Sequence, residues 1–240
     1  MAEDEIIKHT KKIYKTWFNK DISLWHKISE FLIEILIIVF AVSVSIWFHN
    51  RSEHSHQQQE AREFLEGLKA DLTHDIKEMH EDMDSYVKQR IIFTYIAKLK
   101  LADQPSKDTL NKYGGWITNT TMFDPNDGRF QGFKSSGKIG TIENIELQND
   151  ILDLYQENIP ALLGGTQAYI DVKKKLLDFF IKNKKRLTDS TNNYIQLVKN
   201  EEFINIAFAL ASPGQVLERY AGCIQLMNKI VSEIDKEYPE

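Results

Sequence analysis

The chain has 240 residues, with 30 Lys and Arg against 35 Asp and Glu, giving a net charge of −5. Removing the six of each sign that precede Asn50 leaves 24 against 29. The remainder is mildly acidic and lacks the concentrated Lys and Arg of a nucleic-acid surface. The single cysteine, Cys223, excludes an internal disulfide, so any fold here rests on packing.

Residues 1–27 carry Lys8, Lys11, Lys12, Lys15, Lys20 and Lys27 among Ile6, Ile7, Ile13, Tyr14, Trp17 and Phe18. This suits either a helix lying on an anionic leaflet or a basic tail, and it is too short for a catalytic module. Phe31 to Phe48 then reads FLIEILIIVFAVSVSIWF, an apolar run long enough to cross a bilayer as one helix. We place the span at residues 28–49. Ala41-Val42-Ser43 meets the small-residue rule for signal cleavage, but the apolar run continues through Trp47 and Phe48, and an uncleaved anchor is expected. Only Arg51, Arg62 and Lys69 follow in the comparable stretch beyond it, so the charge bias keeps the N-terminus cytoplasmic and exports residues 50–240. Trp17 and Trp25 on one side and Trp47 on the other are the expected interfacial anchors.

Within the span, Glu34 is an ionisable group in apolar surroundings, where carboxylates pair or reach the headgroups. Glu34, Ser43 and Ser45 are the candidate contacts with a membrane partner, the serines bonding across helices or back to their own backbone. His49, His54 and His56 suggest metal ligands, yet His54 and His56 fall on different faces of a continuous helix. No metal or cofactor is expected.

From Gln58 the spacing by threes and fours of Leu65, Leu68, Leu72, Ile76, Met79, Met83, Tyr86 and Val87, on to Ile96 and Leu99, predicts one long amphipathic helix. No Pro or Gly pair separates it from the span, so the two are expected to be continuous until Asp103 and Pro105. The stretch 109–140, rich in glycine, reads as short helices joined by turns. His74 and His80 belong on exposed or partly buried faces of the long helix. Asp124 to Gly128 resembles the start of a calcium loop, but its glycine arrives one place early and no glutamate closes it. Helix resumes at Glu143, with Pro160 and Gly164-Gly165 expected to kink or split it. A loop at 188–193 precedes a helix from Ile195 to Ala211. Ser212 is placed to cap the last helix, with Pro213 in its first turn. The fold expected is all-α: one N-terminal membrane helix running into a long helix of an extracytoplasmic bundle.

Glu34 to Val39 opening the span, Trp47 and Asn50 closing it, and Phe133 to Ile139 (FKSSGKI) before Glu146-Leu147 and Tyr155 resemble a family of single-pass membrane proteins abundant in Bacteroidota and catalogued as a domain of unknown function. The resemblance covers most of the chain. It departs at Phe48-His49-Asn50 from the family's exit motif, and a mid-span glycine is missing. It implies a bacterial inner membrane with a periplasmic domain, and it carries no activity.

No catalytic constellation is expected. Ser135-Ser136-Gly137-Lys138 lacks the glycines and spacing of a phosphate loop, and no nucleophile elbow occurs. Two function classes remain. One is an interaction protein, a scaffold or accessory subunit of an envelope complex, whose partners are the bilayer and other membrane subunits or a second copy. The other is a sensor-like bundle holding a small ligand near Trp116, Phe123 and Phe130 and signalling through a membrane partner.

Overall fold

The computed structural model describes Lys11 and residues 24–100, 102–188 and 191–239. Its contacts divide the chain into two compact units, residues 1–59 and 60–240. Helix α1 spans Leu24–Ala97, so the apolar run and the long amphipathic stretch are one helix, as their sequence lacks any breaker pair. The other helices are α2 (Lys107–Tyr113), α3 (Gly128–Ser135), α4 (Ile145–Asp153), α5 (Ile159–Asn183), α6 (Tyr194–Val198), α7 (Glu201–Leu210) and α8 (Gly214–Glu237). Among the described residues the single β-type contact is an isolated bridge between Arg186 and Asn192.

In the second unit the buried face of α1 keeps a strict alternation of four and three. It runs through Ala61, Leu65, Leu68, Leu72, Asp75, Met79, the half-buried Asp82, Tyr86, Gln89, Phe93 and Ile96, a heptad seam. Three of its positions, seven residues apart, are polar: Asp75, Asp82 and Gln89. The apolar spacing alone assigns Ile76 and Met83 to this face, but both sit at its margin and are only partly buried. Two apolar clusters fill the unit. One joins α1 up to Tyr86 with Phe123, Phe130, α4 and α8; the other joins Ile92, Phe93 and Ile96 with Leu110, Ile117, Leu176 and α7.

Three local expectations need correction. The 195–211 stretch is two helices, because Asn200 adopts extended backbone and its side chain accepts the Glu202 N–H, starting α7 afresh. Ser212 does not cap α8; Pro213 occupies the cap position, with no side-chain bond. Beside Pro160 the α-helical ladder is interrupted as expected, though by a π turn and not by a break, while Gly164-Gly165 leaves α5 unsplit. Pro160 lacks the N–H that the Gln156 carbonyl would accept, so the ladder slips by one residue into a π turn at Leu154–Asn158, where the Ile159 N–H reaches the Leu154 carbonyl. A Cβ at Gly165 would lie 2.4 Å from the exposed Arg219 guanidinium and displace it from the Ala161 carbonyl to which it donates.

Residues 114–142 are short helices joined by turns, as expected, with α3 flanked by 3-10 turns at Gly114–Ile117 and Lys138–Thr141, and polar contacts hold them along α1. Taken outward along the helix, Glu60 pairs with Lys138 (2.7 Å), Asp71 with Arg129 (2.8 Å), Asp75 with Asn126, and the Tyr86 hydroxyl donates to the Thr121 carbonyl (2.7 Å). The order is antiparallel. Gly67 makes room for the second of these, since a Cβ there would meet the Arg129 guanidinium at 2.3 Å.

Candidate functional site

In the first unit, 6% of the most apolar window of α1 is buried within the chain. Leu32, Ile33, Leu36, Ile37, Val39 and Phe40 are each more than half exposed. By length and composition this stretch could cross a membrane, and so large a contiguous apolar patch is rare on proteins in water. Glu34 is the exception, at 7% exposed the one buried side chain described between Trp25 and Gln59. Ser45 takes the local option, its hydroxyl donating to the Ala41 carbonyl at 2.8 Å. Ser43 is exposed. Trp47 packs edge-on against Phe48 at 5.0 Å and lies under the Arg51 guanidinium at 5.9 Å, an amphipathic group fitted to a headgroup level. Trp25 is exposed, and Trp17 lies outside the described residues.

In the second unit each polar seam residue meets a different element. Asp75, fully buried, accepts from the backbone and side-chain N–H groups of Asn126. Asp82 accepts from the Tyr220 hydroxyl of α8 at 2.8 Å, and burial pushes its carboxyl above the ordinary range. Gln89 accepts through Oε1 from Lys173 of α5. The Lys173 ammonium also donates to the Trp116 and Asn119 carbonyls and lies 5.5 Å from the Phe93 ring centre. Among the described residues its partners are neutral, and burial lowers its pKa to about 7.

On the surface, Lys229 of α8 bridges Glu146 (2.8 Å) and Asp150 (2.7 Å) of α4 and Glu233 (3.6 Å), which raises the lysine pKa and lowers that of Glu146. An open groove of 1270 Å³ lies between α5 and α7, walled by Lys175, Asp178, Lys182, Glu201, Glu202 and Asn205. Its floor also carries Val172, Phe179, Ile206 and Ala209, so the lining is mixed polar and apolar. The aromatic trio of the ligand-binding reading does not converge. Phe123 and Phe130 belong to the first cluster and are buried, while Trp116 packs on the second. Cys223 is buried, and that burial lifts its thiol pKa to about 11, far from a reactive thiolate.

The FKSSGKI stretch is a helix-ending device. Phe133 stacks on Phe64 at 4.0 Å, the serines bond back to the Gly132 and Phe133 carbonyls, and Gly137 takes the left-handed conformation (φ 75°) that closes α3. Lys138 then reaches Glu60. Among the calcium-loop residues, Asn126 is committed to Asp75 and Asp127 accepts from the Gln131 side chain, so the turn 124–128 acts as a clip on α1. Sequence reasoning missed the polar seam. Its signal was the seven-residue interval between Asp75, Asp82 and Gln89, visible once polar residues are admitted to the periodic face. No protein-family model, curated protein or solved structure matches the chain.

Proposed function

We propose that the protein is a single-pass membrane protein serving as a helical scaffold or accessory subunit of a cell-envelope complex. In this reading residues 28–49 cross the bacterial inner membrane, residues 1–27 stay in the cytoplasm and residues 50–240 form a periplasmic interaction domain. The observation that carries it is the exposed apolar surface of α1 from Phe31 to Phe48, continuous with a helix whose later seam is fully engaged in packing. Eighteen residues at 1.5 Å rise span about 27 Å, close to the ~30 Å hydrocarbon core. Six lysines before the span support the orientation.

The outer domain supports an interaction role by what its polar groups do. Asp75, Asp82, Gln89, Lys173, Arg129 and Lys138 are each engaged within the fold, which leaves recognition to the span and the exposed helix faces. The reading is tested by purifying the chain from native membranes in mild detergent. A membrane subunit, or a second copy, should co-purify at fixed stoichiometry and cross-link to positions flanking the span. Recovery of a lone protein, with no cross-link at any of them, would refute the scaffold reading.

A further inference from the structure

The mild acidity of residues 50–240 averages two unlike regions. Segments 98–112 and 182–199 hold nine Lys and Arg against three Asp, a net charge of +6, which leaves 15 against 26, or −11, for the rest of that stretch. The fold brings the two segments together. Helices α1 and α5 run parallel, since Tyr86 meets Tyr169 at 5.3 Å and Gln89, further along, meets Lys173, so both finish at the same end of the second unit, at Ala97 and Asn183. There α2 follows, with the Ser106 N–H donating to the Tyr95 hydroxyl at 2.6 Å, and its Leu110 and Asn111 share a small cleft with Lys184 and Tyr194.

The cations at this end are exposed: Lys98 and Lys100 after α1, Lys107 and Lys112 on α2, and Lys182, Lys184, Lys185 and Arg186 where α5 finishes. None of these seven lysines enters an ion pair among the described residues, whereas Lys69, Lys138 and Lys229 elsewhere in the unit each hold a carboxylate. Helix ends alone do not explain the excess. The carbonyl ends of two helices attract cations, but each carries only about half a negative charge, which accounts for about one of the six. Counting the rim of the groove between α5 and α7 as well, with Lys175, Asp178, Glu201 and Glu202, the end stays at +4.

Two aliphatic side chains protrude among these cations. Ile181, in the last turn of α5, is 75% exposed, and Leu187 is 56% exposed. Leu187 is held in place by its surroundings. Its N–H donates to the Thr191 carbonyl, Arg186 bridges Asn192, and the buried Asn193 side chain accepts from the Lys185 N–H and donates to the Asn183 carbonyl. The loop is thus ordered before any partner arrives, which spares the cost of fixing it on binding.

We propose that this end of the second unit docks on an anionic phospholipid surface, with its lysines at the headgroup phosphates and Ile181 and Leu187 at the acyl boundary. Basic residues interleaved with protruding aliphatics bind such a surface by charge attraction and burial of apolar area together. The type of cation agrees. Eight of the nine are Lys, which is depleted at protein interfaces where Arg is enriched, and whose flexible stem lets the ammonium follow a fluid headgroup layer. The inference goes beyond the scaffold reading and stands on the second unit alone.

The test holds the full chain in nanodiscs of phosphatidylcholine and measures its co-sedimentation with sucrose-loaded vesicles, made either of phosphatidylcholine alone or of phosphatidylcholine mixed with phosphatidylglycerol. Binding is expected only to the anionic vesicles and should weaken as salt is raised. Lys182→Gln, Lys184→Gln and Lys185→Gln together should weaken it about a hundredfold, at roughly fivefold per lysine. Ile181→Ser with Leu187→Ser should weaken it at least about tenfold. The same change of charge placed elsewhere, Lys77→Gln with Lys134→Gln and Lys236→Gln, should leave it unchanged. All of these positions are exposed, so helicity should hold, and circular dichroism checks it. Equal binding to both vesicles, an equal loss from the remote substitutions, indifference to Ile181 and Leu187, or capture of short duplex DNA in preference to the vesicles would each overturn the proposal.

Discussion

Lys173 offers the most quantitative test of the packing. Its side chain is 1% exposed, and its ammonium donates to Gln89 and to the carbonyls of Trp116 and Asn119. Lys173→Ala removes three methylenes from the core, about 2.4 kcal/mol at ~0.8 kcal/mol each, and opens a cavity. It also strands three acceptors, offset by no longer burying a charge. A net loss of about 3–5 kcal/mol is expected. Lys173→Met keeps the stem and discards the charge, so it should cost less than half as much. The pH dependence has a definite sign. The folded-state pKa of Lys173 is near 7, below the ordinary lysine value of about 10.4, so between those values the unfolded chain binds more protons. Stability should therefore rise with pH in that window, by at most about 1.4 kcal/mol per unit, and be flat below it. Cys223 acts oppositely above roughly pH 8.5, because its raised pKa makes the folded thiol hold its proton longer. The informative quantity is thus the difference between wild type and Lys173→Met, measured by urea unfolding of the detergent-solubilised chain at pH 6.0, 7.0 and 8.0. A difference that does not change over that range, or one favouring wild type as pH rises less than as it falls, would refute the buried-charge account.

Other expectations follow from single contacts. Gly67→Ala should be near neutral alone, because a helix-propensity gain of about 1 kcal/mol is offset by pushing Arg129 off Asp71, yet stabilising in an Arg129→Ala background; equal effects in both would break the coupling. Asn200→Ala should cost about 1 kcal/mol through loss of the α7 cap, while Ser212→Ala should cost nothing measurable, both read from thermal unfolding. A reporter fused after Glu240 should be active only outside the cytoplasm, and cytoplasmic activity would reverse the topology. Glu34→Leu should leave insertion intact, since the segment becomes more apolar, and loss of the chain from the membrane fraction would refute this.

Much of the helical architecture was legible from spacing. The continuity of α1, the break near Pro105, the loop before Asn193 and the apolar face of α8 all follow from periodicity and breakers that act locally. What escaped was set by contacts distant in sequence. Asn200 reads as an ordinary residue inside an apolar run, and only its extended backbone makes it a cap. Pro160 was expected to interrupt a helix, but a π turn absorbs the missing N–H because Tyr155 and Ile159 are held by the core on either side. The path of residues 114–142 has no periodicity to read. Its course along α1 depends on Glu60, Asp71, Asp75 and Tyr86 finding partners 35 to 78 positions away. Glu34 was singled out for its cost in hydrocarbon, and the structure adds that it is buried at the level of the single chain.

The polar seam explains why a long uniform helix takes its neighbours in one register. A face made only of Leu and Met would let packed elements slide by a heptad at small cost, since each step repeats the same surface. Asp75, Asp82 and Gln89 break that equivalence, because each is matched by a different chemistry: an amide from the 124–128 clip, a phenol from α8, an ammonium from α5. A one-heptad slip would leave the group at one end of the series, the Asn126 amide or the Lys173 ammonium, facing the apolar Leu68 or Ile96, which costs roughly 1–3 kcal/mol for a group left unsatisfied. The same residues that weaken the seam as a hydrophobic surface thereby fix which element docks at which level of α1.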